Sequence, residues 1–501
     1  MFRVRRRFAV TTFVLALTVV AATAGFAAAK DNDQGTLLEY ARDTWHSFEA
    51  MVDEDTGLPS DQISAQGVPV AYTSPTNIGS YLWSTIVARD LKIIKPREAR
   101  ARVAETLATL GELERSHGQF YNWYDPATGT RLRTWPTDGN PVFGFLSTVD
   151  NGWLATALHI VARAVPQSAD EARALLAEMD FGFYYNPSEG QLRGGAWTEE
   201  PPGCSVPTTV DGEATWFTCH HYGTLNTEPR ISSYLGIAAG DVPPEHYYRM
   251  FRTFPSTCDW SWQEQQPTGV TRTYLGVNVF EGTYDYRGIR LVPSWGGSMF
   301  EALMVPLFIP EEEWAPRSWG VNHPLYVEAQ IEHGLEEAGY GYWGFSPSND
   351  PAGGYREYGV DLIGLNPDGY TSDHERTTVD EGFADCRPAQ PLPTEYGQGT
   401  VTPHASFLAL DFDREAALEN LANIRRDFPG AYGEFGFADA INVVSGQVAG
   451  ARLSLDQGMV MAAIGNELTG DRLQRYLVRG EIERAIEPLI APEVFGSGRD
   501  G

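Results

Sequence analysis

The chain has 501 residues, with 66 acidic against 37 basic side chains and a formal net charge of −29. That excess of negative charge repels phosphate polyanions and argues against nucleic acid as a partner. No G-x-S-x-G elbow, H-E-x-x-H pair, Walker loop or C-x-x-C pair occurs, so serine-hydrolase, zincin, nucleotide-phosphate and thiol-redox readings lose their support.

The first segment, residues 1–29, carries Arg3, Arg5, Arg6 and Arg7, an apolar run, and small residues at Ala27 to Ala29. This order reads as a secretory signal peptide, and Arg5-Arg6-Arg7-Phe8 also fits a loose twin-arginine pattern. The expected destination is therefore secreted or in the cell envelope, with no stable membrane span after cleavage. Loss of the four arginines would take the net charge from −29 to about −33. Residues 30–501 read as a single catalytic domain, because closed barrels of helices can exceed the usual domain length.

Apolar residues recur at helical spacing over residues 35–52, 77–93, 98–116, 150–165, 168–180, 226–238, 297–308, 323–338, 413–426, 456–468 and 471–487. Ser168 with Glu171 forms a capping-box pattern, and Asp413 precedes a stripe of Leu418, Leu421 and Ile424. Between the helices run long aromatic and Gly/Pro-rich connections at 117–148, 181–225, 252–295 and 339–402, lengths that usually serve function. A dozen or so helices joined alternately by short and long loops predict an all-α closed toroid with a cleft on the long-loop face. Cys204, Cys219, Cys258 and Cys386 allow three pairings, or four buried thiols. Cys204–Cys219 with Cys258–Cys386 is favoured, because the shorter loop closes at lower entropic cost.

Carboxylates stand in aromatic and Gly-rich surroundings at Asp125 (YNWYD), Asp150 (STVDNG), Glu228 (LNTEPR), Glu301 (SWGGSMFE), Asp439 (FADAIN) and Asp456 (LDQG). Glycosidic cleavage needs one carboxylic acid to protonate the leaving oxygen and a second carboxylate as nucleophile or base. Asp150 and Asp456 each precede a helix and could equally be caps. Glu228 follows a long loop at a helix start, near Tyr222 and Arg230, and an ion pair with Arg230 is its competing role. Glu301 leads an apolar helix whose burial would keep it protonated. Gly339–Gly344 matches G-x-G-x-x-G but is followed by Phe345-Ser346-Pro347 rather than a helix, so it reads as an aromatic loop. No catalytic metal and no cofactor are expected. Asp411 to Glu415 lacks the glycine of a calcium loop and reads as a helix cap.

The order of TSPTNIGSYL, FYNWYD, STVDNG, TEPRISSYLGIAAGDVP, SWGGSMFE, GYWGFSPS, EYGVDLIGL, VTPHASFLAL, YGEFGFADAIN and LDQGMV resembles the glucoamylase-like domain family. That family includes endo-β-1,2-glucanases of glycoside hydrolase family 144 and a domain of cyclic β-1,2-glucan synthases. The resemblance implies an (α/α)6 toroid. It also implies that Glu228 occupies the acid of an N-x-E or S-E-A-R motif, Glu301 the acid of M-F-E, and Asp150 that of S-T-V-D. The chain departs from synthase-type relatives in having Asp456-Gln457-Gly458 where they carry His-Gln-Gly, and in its 181–225 loop.

The expectation is an exported hydrolase or transglycosylase of an oligo- or polysaccharide, plausibly a β-1,2-linked glucan. Glu228 is its general acid and Glu301 the partner, with Asp150 and Asp439 as alternatives. Asp125, Asp150, Asp439, Asp456, Trp123, Tyr124, Tyr222, Arg230, Trp295 and Trp343 are expected to contact substrate. A non-catalytic carbohydrate-binding or envelope-scaffolding protein is the alternative, and a lyase is a weaker one, since the acidic chain would repel uronates.

Overall fold

A computed structural model describes residues 33–254, 263, 265–365 and 396–499. The signal-peptide segment and the Cys258–Cys386 pairing lie outside the described residues. Helices account for most of the predicted elements: α1 over residues 33–51, α2 Pro75–Asp90, α3 Pro96–Glu112, α4 Thr148–Ala164, α5 Ala169–Leu176, α6 Arg230–Ala239 and α7 Glu245–Arg249. They continue with α8 Met299–Leu303, α9 Glu311–Trp314, α10 Trp319–Glu332, α11 Pro403–Leu408, α12 Arg414–Asp427, α13 Ser454–Thr469, α14 Arg472–Val478 and α15 Glu481–Ile490.

Local chemistry sets the ends of these helices. Ser74, Ser147 and Asp413 each accept a hydrogen bond from the backbone amide three residues on, which satisfies an otherwise open donor at the start of α2, α4 and α12. The expected Ser168–Glu171 box is not formed. Ser168 ends a short 3-10 turn, Pro166–Ser168, and makes no side-chain cap bond. The capping box is instead Ser298 with Glu301, at the start of α8.

The all-α expectation needs correction, because the long connections carry sheets. One four-stranded sheet orders Phe145–Ser147, Gly195–Trp197, Glu213–Thr218 and Ser205–Val210. A second orders Thr268–Tyr274, Val277–Tyr286, Ile289–Leu291 and Gly498–Arg499. Their hairpins turn at Asp211-Gly212 and Leu275-Gly276, where both residues have positive φ (50° and 87°, 46° and 78°). This is the paired left-handed geometry whose twist suits a two-residue hairpin. Cys204 and Cys219 flank the first hairpin and form the expected disulfide, tying its base.

Six helices pack in a closed circuit. α13 lies on α2, α2 on α4, and α4 on α6; α8 lies on α11, and α11 on α13. The remaining link, α6 to α8, is made by Arg230, whose guanidinium donates to the carbonyls of Glu301 and Ala302. Outside the circuit, α3 covers α2, α5 covers α4, α15 covers α6, α10 covers α8 and α12 covers α11. Among the described residues, no helix is long and apolar enough to cross a membrane.

The α2–α4 and α4–α6 contacts are close enough to require glycine. A Cβ on Gly79 would sit 2.9 Å from the Trp153 carbonyl oxygen, and one on Gly152 would sit 2.1 Å from Ser232 Oγ. Backbone cannot yield as a flexible side chain can, so Gly79→Ala is expected to destabilise the protein by about 1–3 kcal/mol through overpacking. A thermal midpoint unchanged or raised by Gly79→Ala would contradict this packing.

Candidate active site

The inner helices α2, α4 and α13 all start at one end of the circuit, and a cleft of about 590 Å³ opens there. Its wall takes Ser74, Thr76 and Asn77 from α2, Val149 and Asp150 from α4, Glu228 from the residues before α6, and Leu453 and Leu455 from the start of α13. Counting from each N-cap, Asn77, Asp150, Glu301 and Asp456 are all the third residue of their helix. A carboxylate there gains from the positive end of the helix dipole.

Glu228 sits among like charges. Trp153, fully buried in α4, donates from Nε1 to Glu228 Oε2 at 2.8 Å and fixes the carboxyl. Burial pushes the Glu228 carboxyl well above the usual carboxylate range; the Trp153 bond opposes this, and repulsion from Asp150, Glu301 and Glu357 adds to it. Part of its surface stays open to the cleft. A carboxyl raised and partly accessible in this way is chemically suited to proton donation.

Asp150 is no cap, since Ser147 holds that place. Its Oδ1 accepts from Thr76 Oγ1 at 2.6 Å and its Oδ2 from Asn122 Nδ2 at 2.9 Å, which aims the carboxylate into the cleft. Glu301 lies behind this wall and is 1% exposed. Its Oε2 accepts from Ser294 Oγ, Gly296 N, Ser298 N and Ser298 Oγ at 2.8 to 3.4 Å. Its charge nevertheless reaches both Glu228 and Glu357.

The other acids form a second group at the start of α13. Asp439 accepts from Asn349 Nδ2 at 2.7 Å and from Leu453 N at 2.8 Å, and burial with the nearby Asp456 raises its pKa to about 8. Asp456 Oδ2 lies 3.2 Å from Nδ1 of the buried His404, so Asp456 is not a helix cap either.

Several expected contacts belong elsewhere. Arg230 is fully buried and pairs with Glu311 at 2.8 Å, which removes it both from substrate and from the ion pair weighed for Glu228. Asp125 closes its own turn through the amides of Ala127 and Thr128. Tyr124 is fully buried, with its hydroxyl donating to the Glu114 carbonyl. Trp343 lies in the core, its backbone bonded to the Asn420 side chain. Trp295 packs against the small cluster of Phe254, Tyr284 and Leu365. Tyr222 is half-buried beside Glu228 and Asp150, whose charges both raise its pKa after burial has done so. Trp123 does line the cleft, in an aromatic cluster with Tyr72 and Trp135 whose centroids lie 5.2 to 5.5 Å apart. Among the described residues, no group of three or more His, Cys, Asp or Glu could hold a metal ion.

Sequence reasoning missed Asp61, Tyr72, Trp135, Asn349, Tyr355 and Glu357. Asp61 lines the cleft, accepts from Asn77 Nδ2 at 2.8 Å, and is raised to about 6 by burial, with Asp150 and Asp456 adding to the shift. Burial and Glu301 raise Glu357 to about 8. Of these, only Glu357 lies in a segment the sequence singled out, EYGVD, which was recognised as a motif without an assignment to individual side chains.

Residues 268–478 match the family model described as "Putative glucoamylase". Residues 39–206 match a family model described as a protein of unknown function, DUF3131. The cyclic β-(1,2)-glucan synthase NdvB of Rhizobium meliloti (strain 1021) is 25% identical over 90% of this chain and 18% of its own length. The exo β-1,2-glucooligosaccharide sophorohydrolase (non-reducing end) of Parabacteroides distasonis is 21% identical over 48% of this chain and 37% of its own. The chain thus spans well under half the length of either relative. An endo-β-1,2-glucanase from Chitinophaga pinensis, solved with sophorotriose and glucose, superposes with a TM-score of 0.61 at 15% identity over 91% of this chain and 98% of that one. The β-1,2-glucanase of Parabacteroides distasonis gives 0.63 at 15% identity over 92% of this chain and 60% of that one. The chain has the helix-rich fold of these glucanases.

The raised carboxyls carry a stability signature. Asp61, Glu357 and Asp439 hold protons in the folded state that the unfolded chain has released. Their stabilisation is complete below the ordinary carboxylate range and is lost as pH rises through about 6 to about 8. The thermal midpoint is expected to fall between about pH 5 and about pH 9, and Glu357→Gln to flatten that fall. A midpoint that climbs across this window would contradict the placement of these acids.

Proposed function

We propose that the chain is an exported glycoside hydrolase or transglycosylase acting on a β-1,2-linked glucan, and that residues 30–501 form one (α/α)6 toroidal catalytic domain. The observation that carries the reading is Glu228, raised by burial and like charges, held by Trp153 and opening into an acid-lined aromatic cleft. The circuit of six helices, five of them covered by an outer helix, supports the toroid. The similarity to the β-1,2-glucan synthase and the sophorohydrolase supports the linkage. The Cys204–Cys219 disulfide is compatible with an oxidising destination.

In the mechanism, a glucan chain lies along the cleft with the apolar faces of its rings on Trp123, Trp135 and Tyr72. Asn77, Asn349 and Asp61 present polar groups to its hydroxyls. Glu228 gives its proton to the departing glycosidic oxygen as the bond to the anomeric carbon breaks, while a water molecule loses a proton to the second carboxylate and its oxygen bonds that carbon, so that a new hydroxyl completes the hydrolysis. Glu301 is the second carboxylate. Arg230 Nη1 donates to the Thr227 carbonyl at 2.9 Å and to the Glu301 carbonyl at 3.0 Å, which fixes the spacing of the two acids. Asp150 is a second reading for this role, favoured by its place on the cleft wall.

The test is turnover of linear β-1,2-glucan, followed by chromatography. Glu228→Gln is expected to lower kcat at least about 10³-fold without changing the thermal midpoint by more than a few degrees. Glu301→Gln should fall comparably, whereas Asp150→Asn should mainly raise KM. A larger loss of kcat in Asp150→Asn than in Glu301→Gln would reassign the second carboxylate, and full activity in Glu228→Gln would sink the mechanism.

A further inference from the structure

At the opposite end of the helical circuit from the cleft, the C-terminus of α4, the start of α5 and one face of α14 line an open groove of about 1070 Å³. Five arginines line it, Arg163, Arg173, Arg472, Arg475 and Arg479, against only Asp170 and Glu483. In a chain of net charge −29 this is an exception to the prevailing sign. With the flanking Arg89, Asp90 and Glu481 included, arginines still outnumber acids by six to four.

Part of this charge serves the fold. Arg163 donates to the carbonyls of Tyr476 and Leu477, and Arg475 to that of Gly470, so both neutralise helix ends. The other three are not used in this way. Arg173 meets Asp170 at 3.2 Å where both are solvent-exposed, and Arg472 stands 3.8 Å from Asp90. Arg479 is exposed and has no hydrogen bond or ion pair among the described residues. Burial lowers the Arg163 pKa, Glu481 at 4.0 Å opposes this, and repulsion from Arg173 and Arg479 adds to it, so like charge is concentrated here and only partly relieved.

We propose that this groove binds a ligand carrying two or more phosphate groups, either a short oligophosphate or a bisphosphorylated saccharide. Guanidinium forks match phosphate oxygens in pairs, and several forks around one concavity select several phosphates over one. The arginines come from three segments, α4, α5 and the stretch from α14 to Arg479, arranged around one concavity, which favours such a ligand over a flat membrane surface. The acidic remainder of the chain does not prevent this, because the Debye length is about 8 Å at physiological salt and distant acids are screened. Long polyanions such as nucleic acid would extend onto that acidic surface and be repelled.

The experiment is isothermal titration of the full chain in about 0.15 M salt with inorganic tripolyphosphate, fructose 1,6-bisphosphate and orthophosphate, together with sedimentation on phosphatidylglycerol vesicles. Tripolyphosphate or the bisphosphate is expected to bind saturably and at least about tenfold more tightly than orthophosphate; whichever binds better identifies the ligand source. Arg173→Ser with Arg479→Ser, both exposed and distant from the cleft, should weaken binding at least about tenfold while glucan turnover and thermal midpoint stay unchanged. Arg479→Ser alone should give a smaller loss in the same direction. No binding of either phosphate ligand by the wild-type chain, binding unaffected by these variants, or binding to vesicles alone would each overturn the proposal.

Discussion

The site depends on one buried cation. Arg230 has no exposed surface, pairs with Glu311 through Nε and Nη2, and spends its remaining donors on the carbonyls of Thr227, Glu301 and Ala302. Removing one member of such a pair typically costs about 3–5 kcal/mol, because the survivor is left charged and unpartnered in a dry interior. The bonds to the Glu301 and Ala302 carbonyls also close the helical circuit between α6 and α8. Since Thr227 adjoins Glu228 in sequence, one side chain governs both fold closure and the placement of the acid. Tyr234 and His323 complete the set around Glu311, so the cation's partner is itself fixed.

Around that fixed point two electrostatic effects compete. The N-termini of inner helices favour negative charge at their third residue, by roughly 0.3–1 kcal/mol at exposed sites. Burial and the crowding of carboxylates oppose ionisation, and for Glu228, Glu357, Asp439 and Asp61 the net effect is upward. Desolvation is the first cause for each, and none of these four is the third residue of a helix, where the dipole acts. The cleft therefore holds acids that keep protons at a pH where ordinary surface carboxylates have lost them, which is what a leaving oxygen requires.

Much of this was legible in the sequence. Helical periodicity located the longer helices, inner and outer, because each buries an apolar face; it missed the short α7, α9 and α11 and ran α14 and α15 together. The Glu228 and Asp150 segments were identified by acids at helix starts after long loops. The sheets were less visible, since strands such as Phe145–Ser147 and Gly195–Trp197 are only three residues long and pair across about 50 residues of intervening chain. Trp343 and Tyr124 misled because an aromatic in a Gly-rich loop looks the same whether it faces solvent or core. Asp125 illustrates the same limit for acids: its oxygen serves its own turn, and sequence spacing does not separate that use from substrate contact. Asp61 and Asn349 reach the cleft only through tertiary contact, from segments with no helical periodicity of their own.

The account stands or falls on the protonation state of Glu228. Carboxyl ¹³C NMR of glutamate-labelled protein, with Glu228→Gln to assign the signal, measures it directly. The account predicts a resonance that remains protonated at pH 7 and titrates well above the unperturbed value of about 4.3. A Glu228 resonance already ionised at pH 7, with its midpoint near that unperturbed value, would contradict it.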